Sequence, residues 1–263
     1  MKSSLRRIIP TGLLKRYRAY KKRQALKAYE GDRVFCPICR SKYDHFADFG
    51  LVVRHNARCL NCGSLERHRL LYSYLQNKKN IFNEGEKKRM LHFAPEEFFL
   101  KAFANNPSIE YVSGDLFPEL YNLNGTYNVT KIDITNIPFS DESFDVVLCN
   151  HVLEHIPDDA LAMLELYRVM RTGGWGVFQV PIDYSLVNTY EDFSITEPKA
   201  REKAFGQIDH VRLYGQDYKT RLAKAGFSVT EDDYVTQMSS AEQYRLGVMP
   251  HELIYYVEKQ PTD

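Results

Sequence analysis

The sequence has no apolar run of the roughly 18 residues that a membrane-spanning helix requires, so no transmembrane segment is expected. Its N-terminal stretch is basic, but Pro10 and Gly12 interrupt the apolar residues there. A secretory signal needs a continuous apolar segment at this place, so none is expected and the predicted location is cytoplasmic and reducing. Cysteine is scarce, at five in 263 residues, which excludes a disulfide-dense scaffold. Net charge is also nearly absent, at +1. What is present is ordinary for a globular protein: 44% hydrophobic and 26% charged residues. Wholesale disorder, collagen and coiled coil are excluded by that balance.

The small net charge conceals a strong asymmetry. Residues 1–89 carry 22 Lys and Arg against 7 Asp and Glu, whereas residues 90–263 carry 13 against 27. The N-terminal part therefore suits an acidic partner: RNA, anionic phospholipid or a phosphorylated substrate. A basic module packed on an acidic one would carry the same pattern. Within residues 1–34, Leu13, Leu14, Tyr17, Tyr20 and Leu26 alternate with basic residues. A basic amphipathic helix of this kind can lie on the anionic inner face of a membrane, or dock its apolar side on the rest of the protein.

Four of the five cysteines form two Cys-x-x-Cys pairs, Cys36/Cys39 and Cys59/Cys62, with 19 residues between the pairs. Two thiolates on a tight turn can share one metal ion, and two such turns complete a tetrahedral zinc site. Four thiolates leave no open position, so a structural zinc is expected. Arg54, Arg58, Arg67, His68 and Arg69 in this module could hold phosphate, or simply solvate a small domain. A helix is predicted over Ser64–Gln76, and residues 77–89 read as a polar linker. The fifth cysteine, Cys149, reads as a buried strand residue.

From Met90 onward the pattern alternates. Met90–Phe93, Ile109–Ser113, Val129–Ile132, Phe144–Cys149 and Gly176–Val180 read as strands. Pro95–Phe103, a segment capped by Asp158 and Asp159 and stopped at Gly173–Gly174, and Gln216–Lys224 read as helices. An irregular insert covers about 182–214, and Phe227–Tyr234 and Leu253–Val257 close the chain as β-runs. The domain boundaries expected are 1–34, 35–76, 77–89 and 90–263. Alternation of this kind predicts a doubly wound, mostly parallel α/β sheet, with ligands at the carboxyl ends of its strands.

One stretch carries a resemblance. Lys131–Asp159 includes Lys-Ile-Asp-Ile, Ile-Pro-Phe, Ser-Phe-Asp-Val-Val-Leu and Leu-Glu-His, and Leu166–Ile182 includes Thr-Gly-Gly-Trp-Gly-Val-Phe. Together these resemble the class I S-adenosylmethionine-dependent methyltransferases of the type 11 kind, over about residues 88–258. The resemblance implies a seven-stranded Rossmann-like sheet and S-adenosylmethionine as cofactor. Asp133 would then accept from the adenine amino group, Ile134 would pack on the ring and Asp115 would hold the ribose hydroxyls. Either aspartate could instead be a turn former. His92, Ala94, Glu96 and Asn150 would complete the cofactor site. The first loop, Phe93-Ala94-Pro95-Glu96-Glu97, departs from the family pattern because it has no glycine, although backbone must approach the cofactor closely there. Pro95 suits a first helical position, whose free N–H groups can still face a carboxylate. Similar glycine-poor loops accompany N-terminal Cys-x-x-Cys modules in bacterial relatives of surface-polysaccharide and secondary-metabolite pathways. An oxygen of a small-molecule or glycan acceptor is the expected methyl acceptor.

His151, Glu154 and His155 follow the fourth strand of the domain, and His210 lies in the insert. One of these histidines could act as general base for a hydroxyl. The four residues could instead bind a second, divalent metal ion, as a related Glu-x-x-Glu-His arrangement does in ubiquinone O-methyltransferases and plant small-RNA methyltransferases. A purely structural role is the third possibility. Arg201 and Arg212 are candidate anchors for acceptor phosphate or carboxylate, and Tyr184, Tyr190 and Tyr214 for stacking on it. Two rival functions follow from other features: an RNA methyltransferase that uses the basic module, and a non-catalytic zinc-ribbon adaptor on a methyltransferase fold that has lost its cofactor.

Overall fold

The computed structural model describes residues 24, 26–50, 52–83, 85–121 and 128–261. The amphipathic pattern over Leu13–Tyr20, and with it the membrane contact expected of residues 1–34, lies outside these. Among the described residues, no helix is long and apolar enough to cross a membrane.

The chain divides into two compact units. The first runs to Tyr74 and includes Val235–Glu252; the second comprises Leu75–Tyr234 and the chain from Leu253 onward. The sequence reading kept 235–252 in the later domain. The difference has a local cause: this segment supplies the partners of a buried arginine in the first unit, as described next.

The first unit holds two antiparallel pairs, β1 (Val34–Phe35) with β2 (Lys42–Tyr43) and β3 (Ala47–Phe49) with β4 (Arg54–Arg58). Helix α1 (Glu66–Asn77) follows, as predicted. The core is small: Val34, Cys36, Phe46 and Cys59 are all but inaccessible. Arg69 is fully buried beside it, its guanidinium 4.0 Å from the Phe46 ring centroid. It donates to the carbonyls of Ser64 (2.8 Å), Leu246 (2.5 Å) and Gly247 (2.7 Å). The last two carbonyls end a helix, Ser240–Leu246, that the sequence reading missed. Its start is a capping box, in which Ser239 and Glu242 each satisfy the other's amide.

The second unit is the predicted α/β sheet. Its elements are β5 (Lys88–Phe93), α2 (Glu97–Ala104), β6 (Ile109–Asp115), β7 (Thr130–Lys131), β8 (Phe144–Asn150), α3 (Asp159–Val169), β9 (Met170–Gln179), β10 (Tyr190–Glu191), α4 (Pro198–Phe205), β11 (Arg212–Leu213), α5 (Tyr218–Lys224), β12 (Ser228–Asp232) and β13 (Ile254–Glu258). Seven strands form one sheet in the order β12-β13-β9-β8-β5-β6-β7. The contacts β6–β7, β5–β6, β5–β8 and β8–β9 are parallel, and β13 runs antiparallel to both of its neighbours. Buried apolar runs explain the central strands: Phe144, Val146, Val147, Leu148 and Cys149 are all wholly inaccessible. Helix α2 buries Phe99, Leu100 and Phe103, and α3 starts with the Asp158 side chain accepting from the Leu161 amide.

Three expectations are corrected here. Gly173–Gly174 do not end a helix; α3 stops at Val169 and the two glycines lie within β9. Burial of Met170 extends the chain, and the ladder continues as the Gly173 amide donates to Lys259 and the Lys259 amide to Gly174. Residues 77–89 are not a loose linker: Ile81 is buried, Phe82 stacks on Phe103 at 5.5 Å, and Lys88–Arg89 already belong to β5. The insert is not irregular throughout, since it contains β10, α4 and β11.

Gly247 occupies the left-handed region at φ 58°, and a Cβ there would lie 2.7 Å from the Phe46 ring and 2.9 Å from the Arg69 guanidinium. Gly247→Ala should therefore destabilise the local structure by about 1–2 kcal/mol, since an L-residue in that region costs this much before the steric conflict. Amide hydrogen exchange over residues 240–247 should quicken roughly 5- to 30-fold, because 1.4 kcal/mol is a tenfold factor; unchanged exchange would refute the packing role.

Candidate active site

The switch in chain direction lies between β5 and β8, because β5 leads on to β6 at one side while β8 leads on to β9 at the other. Ligands of doubly wound sheets bind beyond the carboxyl ends of the strands at such a point. A pocket of about 490 Å³ lies there. Phe93 and Ala94 line it from the end of β5, Asp115 from β6, Ile132, Asp133 and Ile134 from beyond β7, and His151, Val152 and His155 from beyond β8. The size suits a small-molecule ligand.

The first loop explains how a glycine-free sequence serves this position. Ala94 has φ 46°, in the left-handed region. The backbone thus adopts the conformation that glycine ordinarily supplies, on the smallest side chain that bears a Cβ. Its amide donates to the Gly114 carbonyl at 3.0 Å, which fixes the turn.

Asp133 is exposed, and its Oδ1 accepts from the Thr135 hydroxyl (2.7 Å) and amide (2.9 Å). These bonds, the hydroxyl's first, hold its carboxyl below the usual range, so it stays ionised. Asp115 turns its oxygens to the Phe117 amide (2.7 Å) and the Tyr121 hydroxyl (2.8 Å). It is thus also a turn former, although a carboxylate with about four lone-pair sites retains acceptor capacity. Ile134 is buried at the pocket wall. His92, Glu96 and Asn150 do not line the pocket. His92 is wholly buried between Phe99, Phe103 and Tyr111, with Nδ1 2.9 Å from the Tyr111 hydroxyl and Nε2 3.6 Å from Glu96 Oε2. Asn150 ends β8, and both polar atoms of its buried side chain have no hydrogen-bond partner.

His151 has φ 55°, a strained conformation of a kind that gathers at functional sites. Its amide donates to Gln179, and its Nδ1 lies 3.4 Å from Glu154 Oε1. Glu154 is 1% exposed. His155 Nδ1 donates to the Asp209 carbonyl at 3.3 Å, and His210 Nδ1 to the Phe205 carbonyl at 3.1 Å. The two imidazoles meet edge to face at 4.8 Å. Burial pushes the His210 pKa down and favours its neutral form. His210 does not line the pocket, but Asp209 beside it does. The structure therefore draws together all four residues of the predicted cluster.

The predicted substrate anchors fare differently. Arg212 is 1% exposed and donates to the carbonyls of Leu153, Ile156 and Pro157 and to Glu191. Tyr214 is fully buried, its hydroxyl 2.6 Å from Asp159. Neither is placed to meet a substrate; both were read as substrate contacts, a role that requires exposure to the pocket. Arg201 Nε donates to the Ile195 carbonyl, and Tyr184 is half exposed; neither lines the pocket. The sequence reading missed Leu116, Phe117, Leu120 and Tyr121 on the pocket rim. The signal was available, as an apolar pair directly after Asp115.

In the first unit, one sulfur atom from each of Cys36, Cys39, Cys59 and Cys62 lies within 4.8 Å of the others. The Cys36–Cys62 and Cys39–Cys59 separations are 3.7 and 3.6 Å. Zinc–sulfur bonds of about 2.3 Å set tetrahedral edges of about 3.8 Å, so the donor set fits zinc. Ser64 Oγ stands 3.4 and 3.2 Å from the Cys36 and Cys62 sulfurs, where its hydroxyl can donate to a thiolate.

Comparison with known proteins agrees with this reading of the second unit. Residues 96–178 match the family described as "Methyltransferase domain". A protein described as an uncharacterized 37.1 kDa protein of transposon TN4556 in Streptomyces fradiae is 32% identical over 97 residues, 37% of this chain and 28% of that protein. The malonyl-[acyl-carrier protein] O-methyltransferase of Yersinia pestis is 26% identical over 110 residues, 42% of this chain and 41% of the enzyme. A solved S-adenosylmethionine-dependent methyltransferase from Archaeoglobus fulgidus shares 17% identity and a TM-score of 0.46, over 72% of this chain and 94% of that one. The chain spans between about a quarter and two thirds of the length of the curated relatives it matches. The family match covers residues 96–178, from the start of α2 to the last residues of β9 in the second unit.

Arg212→Ala should remove the guanidinium donor from the Ile156 and Pro157 carbonyls, leave the Leu153 carbonyl to the Ile156 amide and the Tyr214 hydroxyl, and leave Glu191 to Arg221. A loss of about 3–5 kcal/mol is expected for a broken buried pair, read as a lower midpoint of denaturant unfolding. Arg212→Lys should recover little of it, because one ammonium cannot reproduce the planar fork. A near-neutral Arg212→Ala would refute the clamp.

Proposed function

We propose that the chain is an S-adenosylmethionine-dependent methyltransferase acting on an oxygen of a small-molecule or glycan acceptor, with His151 as general base. The pocket beyond β5–β8 carries this reading, because it brings Ala94, Asp115, Asp133, Ile134 and His151 around one space of suitable size. When bound, the cofactor supplies an electrophilic methyl on its sulfonium. Asp133, held ionised and exposed, can accept from an adenine amino group, and Ile134 offers an apolar wall to the ring. Asp115 has acceptor capacity left for ribose hydroxyls. The backbone at Ala94 leaves room for close approach.

His151 is the histidine best placed to remove the acceptor's proton. It faces the pocket, and Glu154 Oε1 beside Nδ1 favours the tautomer that leaves Nε2 as the acceptor. The same carboxylate would stabilise the imidazolium that forms. Most of the rate would come from holding acceptor and methyl in line within the pocket. In the first unit the four cysteines would hold a structural zinc, and thiolates of this kind suit a reducing, cytoplasmic compartment. The excess of basic residues over 1–89 favours RNA as the second acceptor class.

Calorimetric titration of the purified chain with S-adenosylhomocysteine, with zinc assayed on the same sample, tests the cofactor. Micromolar binding is expected; no binding by zinc-loaded protein would leave the adaptor reading. His151→Ala should keep that binding and lower kcat by about 10²–10⁴-fold, the usual worth of a positioned base. Activity within a few-fold of the parent would remove His151 from the mechanism. RNA affinity that falls steeply with salt would move the acceptor from small molecule to RNA.

A further inference from the structure

Beside the pocket, Glu154, His155 and His210 each offer one donor atom, and the three atoms lie within 4.8 Å of one another. Glu154 is 1% and His210 3% exposed. Two atoms of this cluster, Glu154 Oε2 and His210 Nε2, are buried with no hydrogen-bond partner. An orphaned buried polar atom costs about 1–3 kcal/mol, and more when it is charged. Both atoms here are lone-pair donors, so a cation, a shared proton or a donating water between them would satisfy both.

The histidines are arranged for the cation. A carbonyl oxygen can only accept, so the bonds from His155 to Asp209 and from His210 to Phe205 place the proton of each neutral ring on Nδ1. Each Nε2 is then left as a free lone pair. Histidines that ligate metals almost always carry this second bond, which fixes tautomer and ring direction. The two carbonyls come from one short stretch of the insert, residues 205–209, and the Val211 amide donates back to the Glu154 carbonyl at 3.0 Å. The insert and the loop after β8 are thus joined around the three donors.

We propose that Glu154, His155 and His210 bind a divalent first-row transition ion, a second metal site chemically distinct from the four-cysteine cluster. Two imidazoles and one carboxylate are the ligands of open zinc and related sites, in which three protein groups leave a position for water or substrate. His155 and Asp209 line the pocket, so that position is available to an acceptor bearing a hydroxyl or a neighbouring pair of oxygens. Coordination of such a hydroxyl would acidify it, and His151 would then take its proton. The statement about the acceptor rests on the methyl-transfer reading; ion binding does not.

The test uses the full chain, incubated with zinc and desalted, and analysed for metal content. Two ions per chain are expected. Glu154→Gln and His210→Asn should each leave one, with affinity at the lost site reduced by at least about 100-fold, more than an outer-shell change produces. Cobalt in place of zinc should show a sulfur-to-cobalt charge-transfer band from the cysteines and weaker visible bands without sulfur character from the second site. Persistence of the sulfur band in the variants shows that they are folded. If both buried variants lose it, His155→Gln, at a partly exposed position, takes their place and should lose only the second ion. One ion in the parent chain, or a second ion that no variant removes, overturns the site; the first result would leave a shared proton or a water between Glu154 and His210. A chain that binds S-adenosylhomocysteine but no second ion refutes this site alone. The reverse result refutes the methyl-transfer reading alone.

Discussion

The geometry of the pocket depends on one buried guanidinium. The chain between β8 and α3 makes a single short 3-10 turn, Leu153–His155, and otherwise has little regular bonding. Its carbonyls at Leu153, Ile156 and Pro157 point inward, where no water would satisfy them. Arg212 meets all three with its terminal nitrogens and turns its Nε to Glu191 at 2.9 Å. A charge buried to this degree is tolerated only when it is paired and hydrogen-bonded. Asp159 stands 3.7 Å from Arg212 and 2.7 Å from Arg221, and also accepts from Tyr214. Two arginines, two carboxylates and a tyrosine therefore fix the insert against the loop that bears His151, Glu154 and His155. If this network loosened, the three would lose their common position before the sheet lost its order.

Two of the positive-φ residues border the pocket. Ala94 and His151 follow the ends of β5 and β8, adjacent parallel strands at the switch in direction, and both lie at positive φ. An L-residue in the left-handed region costs about 1–2 kcal/mol, so local preference does not produce this pair. Each is held from outside: Ala94 through its amide to Gly114, and His151 through its amide to Gln179. The neighbouring strands thus hold two turns that bend backbone away from the space beyond the strand ends. Glycine at position 94 would adopt the same turn with less strain, at the expense of a more flexible unfolded chain. The family pattern and this sequence are therefore two solutions to one backbone requirement.

Much of this was legible in the sequence, and the limits have physical causes. The buried strands announce themselves as apolar runs, Asp158 as a cap, and the paired Cys-x-x-Cys turns as a metal-type site, because each signal is local. Asp133 and Ile134 could be placed at the pocket from a motif, since both stand just past a strand end. Arg212 and Tyr214 could not. Their residue types favour the surface, and only the tertiary arrangement of Asp159, Glu191 and three carbonyls draws them inside. Ile81 and Phe82 were lost in a Lys-rich stretch whose charge outweighed two apolar residues that find partners such as Phe103. The Ser239–Glu242 capping box was a readable helix start, overlooked between two β-runs. That Val235–Glu252 belongs with the cysteine unit follows from the long-range bonds of Arg69, which leave no mark on either local sequence.

The two candidate metal sites differ in what their ligands leave over. Around the cysteines every candidate donor is a sulfur, and the nearby hydroxyls of Ser41 and Ser64 lie 3.2–3.4 Å from sulfur. A tetrahedral ion bound there would have all four positions filled, so its contribution would be to folding, beside a core of only a few residues. At Glu154, His155 and His210 the donors are oxygen and nitrogen, three in number, and the bonds behind them go to backbone carbonyls of the insert. Such a set would leave a position open and tie the ligand geometry to the insert, whose carbonyls at Phe205 and Asp209 hold the two imidazoles.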